Sequence, residues 1–562
     1  VRDILGEALR SMGVDQKVEF ETPDPQIADM AFPCFPLAKQ LRKAPKAIAD
    51  ELAAKIAPST LLEKVWVENG YLNFKVNGDR LVRDTLGAII GEKAGYGSGE
   101  PKECRVLLEH TSVNPTGPIH VGRARNPLIG DTLARCIRKN GYQVTTEYLV
   151  NDVGKQVVLL TWGVEHVPPS EVKPASDRQK VDHQLVGYYQ RANELLESDP
   201  TVERQVGDML RAFENGDLQV IEKVRATTER MLDGIKESLS RIGVELDQYT
   251  WESQFILNGE ARQVVERLKQ SPYAHEEEGA YYLDLSTFGI HGREQKFFFT
   301  RSDGTTLYTT RDMAYHLDKF KRSDVMINVL GEDQKLGQAH LLAALKILGE
   351  EKAPECVYYS FVSLPEGRMS TRKNVVVFLD DLIDEAEDRA FEEVRKRRTD
   401  LSEEKMRQIS RQIGRGAIRF NIVRVQAEKQ LMFRWEEALN FEGNSAPFVQ
   451  YAHARCCSIL RKAGEFEHSL DPEFLKEPYE RRLIRVLAQY PATVRDCGEK
   501  RRIHLMPVYA HEVASAFNQF YAYVPVLRSG EHENARLTLV EATMWVLRSS
   551  LDCLGLAAPE EM

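Results

Sequence analysis

Residues 112–123 read SVNPTGPIHVGR, between an apolar run, CRVLLEH at 104–110, and a helical pattern over 120–139. Prolines at 115 and 118 fix the backbone, and Gly117 and Gly122 leave space where a side chain would intrude. Taken alone, a rigid strand-to-helix turn explains these twelve residues as well as a binding loop does. YQVTTEYLV at 142–150 then completes a βαβ pattern. That places the loop at the carboxyl edge of the first strand, where open α/β sheets bind ligands. The helix start offers unpaired N–H groups and a positive dipole end, both suited to phosphate. His120 can donate to a phosphoryl oxygen, and Gly122 lets a base or sugar approach the backbone. The loop lacks G-x-x-x-x-G-K-[ST], which argues against a P-loop triphosphatase.

A second βαβ-like half follows: VMINVLGEDQ at 325–334, a helix through Ala339–Leu348, and VYYSFVSL at 357–364. The expected fold is multidomain α/β, with a Rossmann-type parallel sheet over about 100–400 and a charged helical insertion at about 165–245. Residues 1–95 read as a small α+β domain, with strands KVEFET (17–22) and KVWVENGYLNFKV (64–76), a helix over 37–56, and a glycine-rich linker at 91–103. From 401 to 562 strands give way to helical periodicity, at 451–466, 481–500, 509–524 and 535–556, so a helix bundle is expected.

At 562 residues the chain is too long for one core. It has no apolar run of membrane-spanning length, and VRDILGEALRSMG at its start reads as an amphipathic helix, not a signal peptide. Eight cysteines are scattered without a C-x-x-C pair, so neither zinc nor a disulfide framework is expected. These features predict a cytoplasmic protein with no membrane partner. A net charge of −10 excludes indiscriminate coating of nucleic acid but not a local basic track. Between residues 395 and 424 ten Lys/Arg stand against three acids. Arg407, Arg411, Arg415 and Arg419 recur every fourth residue, forming either a solvated face or a stripe that follows phosphates.

LPEGRMSTRKN at 364–374 follows the last strand, and its Arg368, Arg372 and Lys373 suit developing pyrophosphate charge. With the first loop it resembles the paired H-I-G-H and K-M-S-K-S motifs of class I aminoacyl-tRNA synthetases. They stand here as His120-Val121-Gly122-Arg123 and Arg368-Met369-Ser370-Thr371-Arg372. VNPTGPIHVGR…IGDTLAR, YLVNDVGKQ (148–156), LYTTRDMAY (307–315), GYLNFKVN (70–77) and YAHEVASAFNQFYAYVPVL…LDCLGLAAPEEM resemble the arginyl-tRNA synthetase family over nearly the whole chain.

The resemblance implies ATP-dependent activation of L-arginine and its transfer to tRNA(Arg), with Mg2+ arriving on the ATP. It also implies a monomer that needs tRNA bound before activation. Its implied catalytic residues are His120, Gly122, Arg123, Arg368, Met369, Ser370, Arg372 and Lys373. Pro118, His120, Gly122, Gly331 and Met369 would hold ATP. Asn114, Glu252, Tyr308, Asp312 and Gln334 would bind arginine, joined by Asp152 and Gln156. A planar, permanently charged guanidinium needs carboxylates and amides at fixed geometry, which Glu252 and Asp312 offer. Tyr308 and Asp312 are four apart, hence on one face of a helix. For tRNA the candidates are Arg407, Arg411, Arg415, Arg419, Tyr509 and Tyr521. The last two belong to a group with Phe517, Phe520 and Tyr523, of which most are expected in the core. Two positions depart from the motifs. Arg123 replaces the second histidine, and Thr371 replaces the second lysine, whose charge Arg372, Lys373 or Arg123 is expected to supply.

A class I lysyl enzyme also needs an acidic pocket and remains a rival. A non-catalytic tRNA-binding paralogue is another, although His120, Gly122 and the pocket residues are intact. A small nucleotidyltransferase would not need the C-terminal bundle.

Overall fold

In the computed structural model five strands form one parallel sheet: β1 (Arg105–Glu109), β2 (Gln143–Val150), β3 (Gln248–Trp251), β4 (Val325–Gly331) and β5 (Glu355–Tyr359). Their spatial order is β5-β4-β1-β2-β3, with Val106 opposite both Val144 and Val325. The strand order reverses between β1 and β4, so the crevice beyond Glu109 and Gly331 is the switch point where such sheets bind ligands. The structure describes all residues except 16–17, 22–27, 57–58, 175, 303–304 and 364–376. The loop containing Arg368, Met369, Ser370, Thr371, Arg372 and Lys373 therefore lies outside the described residues.

The helix Arg125–Lys139 after β1 is buried along most of its length, through Leu128, Ile129, Leu133 and Ile137. A Cβ on Gly130 would stand 2.2 Å from the His110 ring, so close packing requires glycine there. Buried Arg125 donates to the carbonyls of Ser360 (2.9 Å), Lys429 (2.6 Å), Val425 (3.1 Å) and Gln426 (2.6 Å). Those bonds fasten the helix start to the chain leaving β5. VYYSFVSL is accordingly not one strand. Ser360 donates its N–H to Ala427 (2.9 Å), and Val362–Ser363 pairs with Leu431–Met432 instead.

Between β2 and β3 the expected insertion is helical, with Val181–Ser198, Pro200–Glu214 and Leu218–Arg241 around Val202, Val206, Phe213 and Val224. It is tied to the helix Leu379–Arg397 through Asp380. That carboxylate accepts from Lys180 Nζ (2.9 Å), Ser238 Oγ (2.9 Å) and His183 Nε2 (3.1 Å). Burial opposes its charge, but these partners win and hold Asp380 well below the usual carboxylate range. A second insertion, between β3 and β4, contains a three-stranded antiparallel sheet (Ala274–Glu277, Ala280–Asp284, Lys296–Phe298) and the helix Tyr308–Arg322.

These elements belong to a unit formed by Gly97–Ala454, Pro491–His511 and Arg548–Met562; the other unit is Val1–Tyr96, Arg455–Tyr490 and Glu512–Leu547. In the latter, Met30–Pro33, Tyr71–Val76 and Leu62–Glu68 form an antiparallel sheet over Leu5, Phe32, Leu52, Leu72 and Phe74. Asn69 and Gly70 turn the hairpin with φ of 51° and 80°, the left-handed pair such two-residue turns require. The expected strand at 17–22 is not formed among its described residues. Glu21 makes only an isolated bridge to Ala31, and Met30–Pro33 takes the sheet position. The start of the expected linker is helical. The helix Gly78–Glu92, capped by Asn77 Oδ1 on the Asp79 and Arg80 amides, runs into a turn at Lys93–Gly95.

The helices near the C-terminus are Ala446–Ala463, Pro478–Leu487, Tyr490–Glu499, Leu505–Tyr523 and Glu533–Cys553. The single helix expected over 481–500 breaks at Ala488–Gln489, just ahead of Pro491, which has no N–H to continue the first helix. Among the described residues no helix is long and apolar enough to cross a membrane.

Candidate functional site

The chain leaves β1 through two consecutive residues with positive φ, Thr111 (72°) and Ser112 (36°). For a β-branched threonine this conformation is strained, and such strain persists only where surroundings enforce it. Asn126 enforces it here. Its Oδ1 accepts from the Thr111 N–H (2.7 Å), while its Nδ2 donates to Val329 of β4 (3.0 Å). The bridge spans the switch point. Ser112 Oγ donates to Glu109 (3.1 Å) and accepts from the Leu149 N–H (3.0 Å).

The backbone of the histidine loop is already paired. Val121 N–H donates to Val377 O (3.0 Å), Arg123 N–H to His120 O (2.9 Å) and Ala124 N–H to Val121 O (3.0 Å). The Gly122 N–H goes to His120 Nδ1 (2.9 Å). The expected row of free N–H groups for phosphate is therefore not offered at Val121–Ala124. What the loop offers is side chains. Because Nδ1 accepts, the ring proton sits on Nε2, directed away from the loop as a donor. Burial and then Arg123 push the His120 pKa down, which favours that neutral tautomer. His120 and Arg123 are exposed, whereas Pro118 and Gly122 are buried and shape the backbone. The Arg123 guanidinium lies 5.5 Å from the Phe361 ring centre, and a Cβ on Gly331 would meet that ring at 3.2 Å. Phe361, absent from the expected site, thus joins Arg123 and Gly331; in sequence it looked like one more strand residue.

Carboxylates gather beyond β2 and β3. Asp152 Oδ1 accepts from the Ser253 N–H (2.8 Å), while Oδ2 is buried with no hydrogen-bond partner and Arg225 is 3.7 Å away. Glu252 is buried and accepts from Arg311 Nε (2.5 Å). With its amide turned to satisfy both sides, Asn151 also donates to Glu252 (3.0 Å). Glu252 therefore already has a cationic partner, Arg311 of the Y-T-T-R-D motif. Asp312 follows on the helix Tyr308–Arg322, one turn beyond exposed Tyr308 as the four-residue spacing requires. Asn114 donates to Gln156 (3.4 Å), bringing those two together. Gln334 is exposed and donates to Asp333 (3.2 Å), with no bond to the other pocket candidates among the described contacts.

The electrostatics favour an incoming cation. Burial raises Asp152, with Ser253 and Arg225 opposing it. Burial also raises Glu252 despite Arg311, and the neighbouring Asp152 and Asp312 charges add to the rise. Asp312 is also penalised by burial, but His316 and Lys319 outweigh this and lower its pKa. A guanidinium entering this group would relieve the mutual repulsion. Arginine affinity should accordingly fall with pH. Asp152 and Glu252 take up protons above the usual carboxylate range, weakening attraction, while Asp312 stays ionised. The arginine KM measured from about pH 7 down to about pH 5 is expected to rise steadily; a flat profile would mean that neither acid faces the substrate.

The proposed RNA contacts fare differently. On the helix Glu403–Val423, Arg407 and Arg411 are exposed, the former paired with Glu403 (2.8 Å). Arg415 is half-buried on Glu387 (2.8 Å). Arg419 is fully buried, donating to Leu554 and Ile242 carbonyls (2.8 Å each) and paired with Asp131. The four do not form one solvent-facing stripe, because the helix sinks into the protein toward its C-terminal end. Tyr509, Phe517 and Phe520 are buried in the core, so Tyr509 does not present its ring to RNA. Tyr521 is 44% exposed with Arg455 5.3 Å from its ring centre, and Tyr523 is 68% exposed, stacked on Tyr479 (4.7 Å).

Comparison with known families places this architecture. Residues 85–435 match the class I (R) tRNA synthetase catalytic domain, 1–76 the arginyl tRNA synthetase N-terminal domain, and 449–562 the DALR anticodon binding domain. The chain belongs to the arginyl-tRNA synthetase family. It is 49% identical to the arginine–tRNA ligase of Methanocella arvoryzae, over 94% of this chain and 92% of that protein. With the arginine–tRNA ligase of Methanothermobacter thermautotrophicus it shares 40% identity over 100% of this chain and 98% of the other. The solved Thermus thermophilus arginyl-tRNA synthetase superposes with a TM-score of 0.85 at 30% identity, covering 100% of this chain and 99% of that one. In this chain HVGR follows the carboxyl end of β1, and Asp152 and Glu252 follow those of β2 and β3.

Proposed function

We propose that this chain activates L-arginine with ATP and transfers the arginyl group to tRNA(Arg), and that the residues at the sheet's carboxyl edge divide that work as follows. The observation that supports it most is the cluster of Asp152, Glu252 and Asp312 charges at the carboxyl edge of the same parallel sheet whose first strand leads into the histidine loop. The arginine carboxylate attacks the α-phosphorus of ATP, the bond to the β-phosphate breaks, and pyrophosphate leaves. His120 Nε2–H and Arg123 stabilise phosphoryl charge as it develops, acting by position and electrostatics without a covalent nucleophile. Phe361 and Gly331 flank the nucleotide, with Pro118 and Gly122 fixing the loop's path. Asp312 receives the guanidinium, Asp152 and Glu252 supply further negative potential, and Asn114 and Gln156 hold the α-amino acid end. Tyr308 and Gln334 close the pocket in this reading. A hydroxyl of the tRNA's terminal ribose then attacks the acyl carbon and AMP leaves.

ATP is the nucleotide of the class I family. Mg2+ travels with its phosphates in this reading. Arg368, Met369, Ser370, Arg372 and Lys373 are proposed to stabilise the departing pyrophosphate. For the domains, 1–95 and 401–562 are proposed to engage tRNA and 100–400 to carry catalysis, in a monomeric cytoplasmic protein. Arg407, Arg411 and Tyr521 are the retained RNA candidates.

The test is ester formation on tRNA. Arginine, and not lysine, is expected to become linked to the 3′ end of tRNA(Arg) in an ATP-dependent manner. Charging with lysine would move the chain to the rival specificity, and binding of tRNA without charging would make it a paralogue that has lost catalysis.

A further inference from the structure

A buried polar chain runs from the start of the signature loop to the arginine pocket. Glu109, at the end of β1, is ion-paired with Lys319 Nζ, which is fully buried. Lys319 also donates to Asn328 Oδ1 (3.1 Å). The Asn328 amide is thereby oriented: its oxygen faces the ammonium, so its Nδ2 faces His316 Nε2, 3.0 Å away. An amide nitrogen only donates, so Nε2 must accept and the imidazole proton must sit on Nδ1. That nitrogen donates to the Asp312 carbonyl (2.9 Å) and also lies 3.1 Å from Asp312 Oδ1. His316 and Asn328 are each about 1% exposed, whereas the Asp312 side chain is 38% exposed. The chain thus begins in the core and emerges at one carboxylate.

We propose that His316 is a positioning residue for arginine recognition: held in the Nδ1–H tautomer by Asn328 and Lys319, it fixes the Asp312 carboxylate for the substrate guanidinium. The inference rests on the assignment of Asp312 to the arginine pocket. A partly exposed aspartate side chain can turn about its own bonds, whereas a planar guanidinium needs the carboxylate held in one orientation. A donor delivered from the core selects one orientation and leaves Oδ2 for the substrate. Because the same chain ends at Glu109, which Ser112 contacts, the pocket acid is anchored to the sheet end that carries the histidine loop.

Two polar variants separate this role from mere packing. His316→Gln keeps an acceptor near the Nε2 position for Asn328 but no donor near Nδ1; His316→Asn keeps the donor toward Asp312. In tRNA-supported pyrophosphate exchange, His316→Gln is expected to raise the arginine KM about tenfold, in the range for a hydrogen bond to a charged group. The ATP KM should be unchanged and kcat within about threefold. His316→Asn should restore the arginine KM to within about threefold of the starting protein. The proposal is overturned if the two variants behave alike, if the ATP KM moves with the arginine KM, or if His316→Gln has no effect. Asp312→Asn run alongside distinguishes the failures. An unchanged arginine KM there removes the pocket assignment itself, whereas a raised one beside an inert His316→Gln removes only the positioning role.

Discussion

His120→Ala is expected to slow arginine-dependent pyrophosphate exchange by about 10²–10³-fold, the usual loss when one preorganised donor to developing charge is removed. The arginine KM should stay within about threefold, because the pocket acids lie beyond other strands. The size follows from geometry. The loop amides at Val121, Gly122, Arg123 and Ala124 are paired, so little backbone is free to take over phosphate contact. The Gly122 N–H fixes the ring and leaves Nε2–H as the donor. His120→Gln, with an amide near the Nε2 position, should recover part of the loss. Exchange reduced less than about fivefold by His120→Ala would mean that the phosphate contacts come from elsewhere, in the first instance from Arg123.

Arg419→Ala is expected to destabilise the protein by about 3–5 kcal/mol, the cost of breaking a buried ion pair by removing one partner. It would leave Asp131 with Arg135 alone (2.8 Å) and would strip the Leu554 and Ile242 carbonyls of the Arg419 donor. Arg411→Ala, two turns earlier on the same helix and exposed, should change stability by less than about 0.5 kcal/mol. Instead it should weaken tRNA binding and reduce the salt dependence of that binding by about one phosphate contact. Thermal melts and tRNA titrations at several salt concentrations read both effects. Equal melting temperatures for the two variants would contradict the burial of Arg419.

That contrast shows what a sequence period conveys. Arginines at every fourth position establish a common helix face, but not what the face meets, and here it meets Asp131 and two carbonyl-rich chain turns. The aromatic group reads similarly. Periodicity put Tyr509 and Tyr521 among the candidates, and only the packing shows that Tyr509 is core while Tyr521 is partly exposed.

Strands with strong apolar runs, β1 and β4, were legible because burial on both faces leaves near-continuous hydrophobic sequence, whereas QVTTEYLV of β2 was legible through its β-branched and aromatic residues. β3 was not: QYTW is four residues long and follows a charged helix. The antiparallel sheet over 274–298 was hidden by acids, AHEEEGAYYLD, whose exposed edge tolerates charge. KVEFET reads as a strand by alternation, yet MAFP pairs with Tyr71–Val76 in its place.

At the site, residue types pointed to phosphate and to guanidinium, and the resemblance named positions. Sequence could not show that Glu252 is engaged by Arg311, that Asp152 keeps an unpartnered oxygen, or that Asn328 sets the His316 tautomer. Each of these depends on residues far apart in the chain, so no local pattern encodes them.

The most direct measurement of the central claim, that the acids beyond β2 and β3 select arginine for activation at the His120 loop, is amino-acid-dependent ATP–pyrophosphate exchange with and without tRNA. Arginine is expected to support exchange when tRNA is present, with lysine and citrulline giving little, since one lacks the planar fork and the other the charge. Equal exchange with lysine, or no exchange with arginine under either condition while tRNA still binds, would contradict it.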